Sequence, residues 1–165
     1  MNAAELDGVT IDAYGTLVRL LDPVPALSAA LAEREVVRDR ETVAHGFRTE
    51  VVHYTKHSAE GHDEPGLARL QRDCANVFLE AVGAELDADE FAPVYASAMH
   101  FELLPGVLQA LERLRSLGLE LAVVANWDLT LRRLLDEVGI AQQLRAVVHA
   151  AGSPRPTDCC ARSST

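Results

Sequence analysis

Apolar and polar positions along the chain change rhythm twice. Residues 8–13, GVTIDA, form a short run rich in β-branched side chains, too short for a helix, and predict a buried strand. From Pro23 to about Met99 the spacing becomes helical: Leu27, Ala30 and Leu31 share one face, and Leu67, Leu70, Cys74, Val77 and Phe78 share another. Breaks near Asp39, at Gly61 to Pro65 and at Gly83 to Asp89 divide this block into about four helices with no strand signal.

After LLPGV the rhythm changes again. Val107, Ala110, Leu111 and Leu114 make a helical stripe ending at Gly118, where a C-terminal cap belongs. LELAVVA reads as a strand, NWDLT as a turn, Leu131, Leu134, Leu135 and Val138 as a helix closing at Gly139, and RAVVHA as a further strand. Strands alternating with helices predict an α/β fold with a parallel, Rossmann-like sheet, and the helical block after the first strand predicts an inserted four-helix cap. The expected division is a discontinuous core, residues 1–18 and 100–165, lacking its C-terminal part, with a cap over 19–99.

The 165 residues suffice for one core of ordinary size and a small appended module, and 48% hydrophobic content makes wholesale disorder a poor description. A net charge of −10 argues against a nucleic-acid backbone or an anionic membrane surface as partner, since both demand clustered Lys and Arg. No apolar run reaches bilayer length, and MNAAELDG lacks the basic start and apolar stretch of a signal peptide, so a cytoplasmic protein is expected. Cys74, Cys159 and Cys160 have neither the number nor the spacing of a disulfide framework or a zinc site. His53 and His57 stand four apart on a helix, a metal-binding spacing, but no carboxylate or Cys completes a set in the nearby sequence.

The chemistry of interest lies at Asp12, a carboxylate ending an apolar run in VTIDAYGTL. Such a charge costs free energy unless it is paired or used, either as the cap of a turn or as a nucleophile at a strand tip. Ligands of parallel α/β sheets sit outside the carboxyl ends of the strands. Asp12 and Asn126 both fall at such ends, and they are expected to meet although more than a hundred residues separate them.

IDAYGTL, the helical block, LLPGV, LAVVANWD and GSPRP, in that order, resemble the haloacid dehalogenase-like hydrolases with a helical cap, over nearly the whole chain. The resemblance implies that Asp12 is a nucleophile forming a covalent ester that water hydrolyses. It implies that Gly15 and Thr16 shape the turn and offer amides to an anion, and that Asp12 and the backbone carbonyl of Tyr14 ligate Mg²⁺ where the metal is used. The family's phosphatases carry a second Asp where this chain has Tyr14, and a phenol is a poor base at neutral pH. Its 2-haloacid dehalogenases often place Tyr there, need no acid because halide leaves unprotonated, and require no metal. They also carry an Arg and, six residues later, a Tyr on a cap helix; FRTEVVHYT offers Arg48, to receive halide or carboxylate, and Tyr54.

Several positions depart from the family pattern. The second motif's hydroxyl residue is Ala125, leaving Asn126 as side-chain donor, Trp127 as pocket wall or packing residue, and Asp128 as a helix cap. Arg155 stands where the family's third motif has Lys, and the acidic pair of the fourth motif is absent. The tail TDCCARSST lacks the expected apolar periodicity; bases that encode CCARSST can, read one nucleotide earlier, encode LLRAIFD, which raises a frameshift as its origin. The expectation is a hydrolase using Asp12, Asn126 and Arg155 on a small anionic phosphate ester or 2-haloacid, weak or inactive in this form. The alternative is a non-catalytic remnant or binding module of the same fold. An exposed sheet edge would favour association as a homodimer.

Overall fold

A computed structural model of the chain describes residues 6–149. Arg155, Cys159, Cys160 and the tail lie outside the described residues. Three strands, β1 (Gly8–Ile11), β4 (Glu120–Ala125) and β5 (Ala146–His149), form a parallel sheet in the order β1-β4-β5. Ile11 pairs with Val123, and Ala125 with His149. Between β1 and β4 the chain passes through β2 (Val18–Leu20), α1 (Val24–Ala32), α2 (Arg40–His57), α3 (Glu64–Ala81), α4 (Ala88–Ser97), β3 (Phe101–Leu103) and α5 (Val107–Ser116). Between β4 and β5 lies α6 (Leu131–Glu137).

Three of the helices, α2, α3 and α4, start at aspartates that cap them. Asp39 accepts from the Thr42 amide at 2.8 Å to begin α2, Asp63 from Gly66 at 2.7 Å to begin α3, and Asp87 from Asp89 and Glu90 to begin α4. Each carboxylate satisfies amides that the first turn leaves without partners, so each expected break marks a helix start.

The buried side chains separate into two clusters. One lies within the helical block, around Leu27, Leu31, Val43, Phe78, Phe91 and Tyr95, with the Phe78 and Tyr95 rings 5.1 Å apart. The other lies on the sheet, where Leu121 and Val123 of β4, Leu111 of α5 and Leu131 and Leu135 of α6 are buried in one cluster. Among the described residues no helix is long and apolar enough to cross a membrane.

Three expectations change. β1 ends at Ile11, and its residues alternate between exposed and half-buried, because it is an edge strand of the described sheet rather than a buried one. Ala110 lies on the exposed side of α5, whose buried face is carried by Val107 and Leu111. The strands β2 and β3 were not anticipated: they pair antiparallel, Val18 with Leu103 and Leu20 with Phe101, into a ribbon through which the chain enters and leaves the helical block. Across it the exposed Arg19 Nε donates to Glu102 at 2.6 Å.

These positions differ sharply in expected energetic weight. Phe78→Ala empties the middle of an aromatic cluster and is expected to cost about 3–5 kcal/mol, whereas Arg19→Ala breaks an exposed pair and is expected to cost less than about 1 kcal/mol. Urea denaturation of both variants checks the contrast; comparable losses would contradict it.

Candidate active site at the strand ends

Parallel pairing brings the ends of β1 and β4 to the same edge of the sheet. Asp12 immediately follows β1 and Asn126 immediately follows β4, and both are exposed there. The turn after Asp12 is tight: the Gly15 amide donates to the Val18 carbonyl at 2.9 Å, and the Leu17 and Val18 amides converge on the Ala13 carbonyl. Gly15 has φ +77°, a left-handed conformation in which other side chains are strained. Its amide is therefore committed to the turn rather than open to an anion, which corrects the role expected for it. The Thr16 amide makes only a long contact, 3.4 Å, to Ala13. It remains the more available donor of the two.

Above this edge lies a cavity of about 750 Å³ between the helical block and the sheet. Tyr14, Arg48, Asn126 and Trp127 all line it, so four expected site residues share one space; Asp12, Gly15 and Thr16 are not part of its walls. Arg48 is exposed on α2. Trp127 is both wall and packing residue: its ring lies 5.3 Å from that of Phe101, and its Nε1 donates to Thr130 Oγ1 at 3.2 Å.

The loop after β4 is held largely by the helical block. Tyr54 Oη donates to Asp128 Oδ2 at 3.1 Å, Ser58 Oγ donates to Asn126 Oδ1 at 3.2 Å, and the Leu129 amide donates to the Gly61 carbonyl at 2.9 Å. Gly61 permits the approach, since a Cβ there would stand 2.8 Å from the Asp128 Cβ. Asp128 does not cap α6, whose N-cap is Thr130. Its Oδ1 instead accepts from the Thr130 amide and hydroxyl, leaving Oδ2 for Tyr54. Burial, reinforced by the Asp128 carboxylate, pushes the Tyr54 phenol above its ordinary range, so it stays a donor. Ser58 was missed because a serine just past a long polar helix resembles a solvated end. It is 2% exposed and faces Asn126.

A second polar group missed in the sequence is Glu50, buried in the middle of α2 and lining the same cavity. Tyr95 Oη donates to its Oε2 at 2.8 Å. Desolvation pushes the Glu50 carboxyl up, partly offset by the neighbouring Cys74 and Tyr95 groups, and burial likewise raises the Cys74 thiol.

The donor set bears on metal binding. Mg²⁺ is commonly held by one or two carboxylates together with substrate phosphate and water. Asp12 and the Tyr14 carbonyl supply one charged and one neutral oxygen. Among the described residues no group of three or more His, Cys, Asp or Glu side chains could hold a metal ion. His57 pairs with Glu60 at 2.7 Å and stacks on His53. The described residues thus do not by themselves make a Mg²⁺ site.

A family model described as haloacid dehalogenase-like hydrolase matches residues 6–158, most of the chain. The chain belongs to the haloacid dehalogenase-like hydrolases. It is 29% identical to mouse haloacid dehalogenase-like hydrolase domain-containing protein 3, in an alignment covering 90% of this chain and 63% of that protein. It therefore spans less than two thirds of that relative. Among solved structures it is similar in fold to the HAD-hydrolase YfnB from Bacillus subtilis bound to magnesium, with a TM-score of 0.63 and 16% identity, covering 87% of this chain and 65% of that one. An L-2-haloacid dehalogenase from Xanthobacter autotrophicus with chloropropionic acid covalently bound has a TM-score of 0.56 and 21% identity, covering 88% and 57%.

Two outcomes follow for this hydrolase-family site. Tyr54→Phe leaves Asp128 Oδ2 without its donor in a buried place and is expected to cost about 1–3 kcal/mol in urea denaturation. A loss near zero would show that the contact does not hold the loop. Because the folded Glu50 pKa is raised, the native state binds the proton more tightly than the unfolded chain does. Stability from this group is then full below the unfolded value and is lost as pH rises through the folded one. Glu50→Gln is expected to gain thermal stability relative to the parent on going from pH 4.5 to pH 7.5, and a pH-independent difference would contradict the assignment.

Proposed function

We propose that the chain is a hydrolase in which Asp12 attacks a small anionic substrate, a phosphate ester or a 2-haloacid, beneath a cap formed by residues 19–99. The observation that supports this reading is the position of Asp12, exposed just past β1 at the same sheet edge as Asn126 and two residues from Tyr14 in the cavity wall, although Asp12 itself is not one of the lining residues. In the 2-haloacid case a carboxylate oxygen of Asp12 forms a bond to the substrate carbon as the carbon–halogen bond breaks, and halide leaves with the electron pair. Water then adds to the ester carbonyl of Asp12, releasing the 2-hydroxyacid and a proton and restoring the carboxylate. In the phosphate case the bond forms to phosphorus, and the departing alkoxide must gain a proton that Tyr14 is poorly suited to give.

Arg48 and Asn126, both in the cavity wall, are assigned to the anion. Ser58 bonded to the Asn126 carbonyl oxygen leaves the amide NH₂ of Asn126 to donate elsewhere. The Arg155 assignment rests on its match to the family motif, and the Mg²⁺ assignment to Asp12 and the Tyr14 carbonyl rests on the family alone. No step proposed for this chain passes through a metal. A binding function without turnover is the second reading, favoured by the missing hydroxyl at Ala125 and by the Gly15 amide spent within its own turn.

Turnover of p-nitrophenyl phosphate and 2-chloropropionate, each with and without Mg²⁺, tests the proposal. Asp12→Asn is expected to lower kcat by about 10³-fold or more, and Arg48→Ala to raise KM by about tenfold. Turnover unchanged in Asp12→Asn would remove the nucleophile from the proposal; no turnover in the parent chain would favour the binding reading.

A further inference from the structure

The cavity at Tyr14 and Asn126 is larger than a two- or three-carbon substrate needs. At about 750 Å³ it lies within the roughly 300–1,000 Å³ that enclose drug-sized ligands. A cavity of about 150 Å³ already holds benzene. The walls are predominantly apolar, with Phe47 and Leu70 on the helical side and Phe101 and Trp127 on the sheet side. On the α4 side Ala92 and Ala96 leave the space open, where larger residues would fill it.

The polar groups are unequally suited to an anion. Tyr14 and Asn126 adjoin the strand ends, and Arg48, on α2, is the cation that the helical block contributes to the walls. Glu50, on the interior of the block, is engaged by Tyr95, and its burial favours the uncharged carboxyl. Apart from Arg48, the helical block contributes, among the described residues, no cation to the cavity wall that would attract an anionic head group.

We propose that the ligand of this site is an anion with a bulky aromatic or branched apolar body, of about naphthyl size or larger, whose body fills the space between the helical block and the sheet. The anionic head lies at the strand ends beside Asn126, and the body lies between Phe47 and Trp127 and against α4. This assignment rests on the reading of Asp12 and Asn126 as the reacting end of the site, but it concerns binding and does not require turnover.

Calorimetric titration of the whole chain with two non-hydrolysable probes, methylphosphonate and 1-naphthylphosphonate, tests it. The naphthyl probe is expected to bind at least about tenfold more tightly, with the negative heat-capacity change of apolar burial. Ala96→Phe is expected to remove most of that preference while leaving methylphosphonate affinity within about twofold. Ala96→Leu, a smaller intrusion at a half-buried position, provides the same readout should the ring disturb α4. Equal affinity for the two probes, no binding of the naphthyl probe at millimolar concentration, or a preference untouched by either folded variant would overturn the proposal. Asp12→Asn is expected to retain the preference. A chain that prefers the naphthyl probe but shows no turnover keeps the ligand class and loses the hydrolase reading; Asp12-dependent turnover without the preference does the reverse.

Discussion

The parallel pairing of β1 with β4 is the constraint on which the rest of the molecule depends. Gly8 to Ile11 lie in register against Glu120 to Val123, so the residues just beyond each strand emerge on one edge of the sheet. A parallel pair cannot be joined by a tight turn, and the chain must leave that edge and return to begin the second strand. Here the excursion contains five helices, four of which, α1–α4, share a hydrophobic cluster of their own. The cavity is the space left where this second cluster faces the strand ends, and the pairing that brings Asp12 and Asn126 to one edge of the sheet leaves Asn126 in its wall.

The polar contacts at the base of the helical block differ greatly in physical weight. The Arg19–Glu102 pair is exposed, and water competes for both partners. Tyr54, Ser58 and the Gly61 carbonyl act where Asp128 is 6% exposed and Ser58 is 2% exposed, so a lost partner there leaves a polar group with little access to solvent. The loop carrying Asn126 consequently takes its shape as much from α2 and the segment after it as from β4. A displacement of the helical block would change both the cavity volume and the orientation of the Asn126 amide.

Much of this architecture was legible along the chain because its causes are local. Aspartates at 39, 63 and 87 announce helix starts through their own carboxylates, and Gly118 and Gly139 end helices through a backbone conformation that favours glycine. The alternation of strand and helix after residue 100 carried the parallel sheet in the same way. The short strands β2 and β3 carry no periodic signal in three residues each; they exist because the ends of the helical block come together. Glu50 was illegible for a related reason. Its chain neighbours Arg48, Thr49, Val51 and Val52 are all exposed, and its partner Tyr95 lies 45 residues further on. Asp128 read as a cap because capping is a short-range event, whereas its link to Tyr54 spans 74 residues. The end of the first strand and the tight turn after Asp12 were readable because both are local. The groups that shape the cavity are defined only by long-range packing.

The β2–β3 ribbon also bears on how the chain reaches this state. Bringing β1 to β4 directly from an extended chain requires closing a loop of about 110 residues, and the entropy of such closure grows with the logarithm of loop length. Once α1–α4 have collapsed and their ends are stitched by Val18–Leu103 and Leu20–Phe101, the helical block acts as a single short link. The remaining free chain is about two doublings shorter, which lowers the closure cost by about 1 kcal/mol. A kinetic order in which the inserted helices condense before the sheet assembles is thus favoured by the connectivity itself, and three residues on each side of the ribbon carry that advantage.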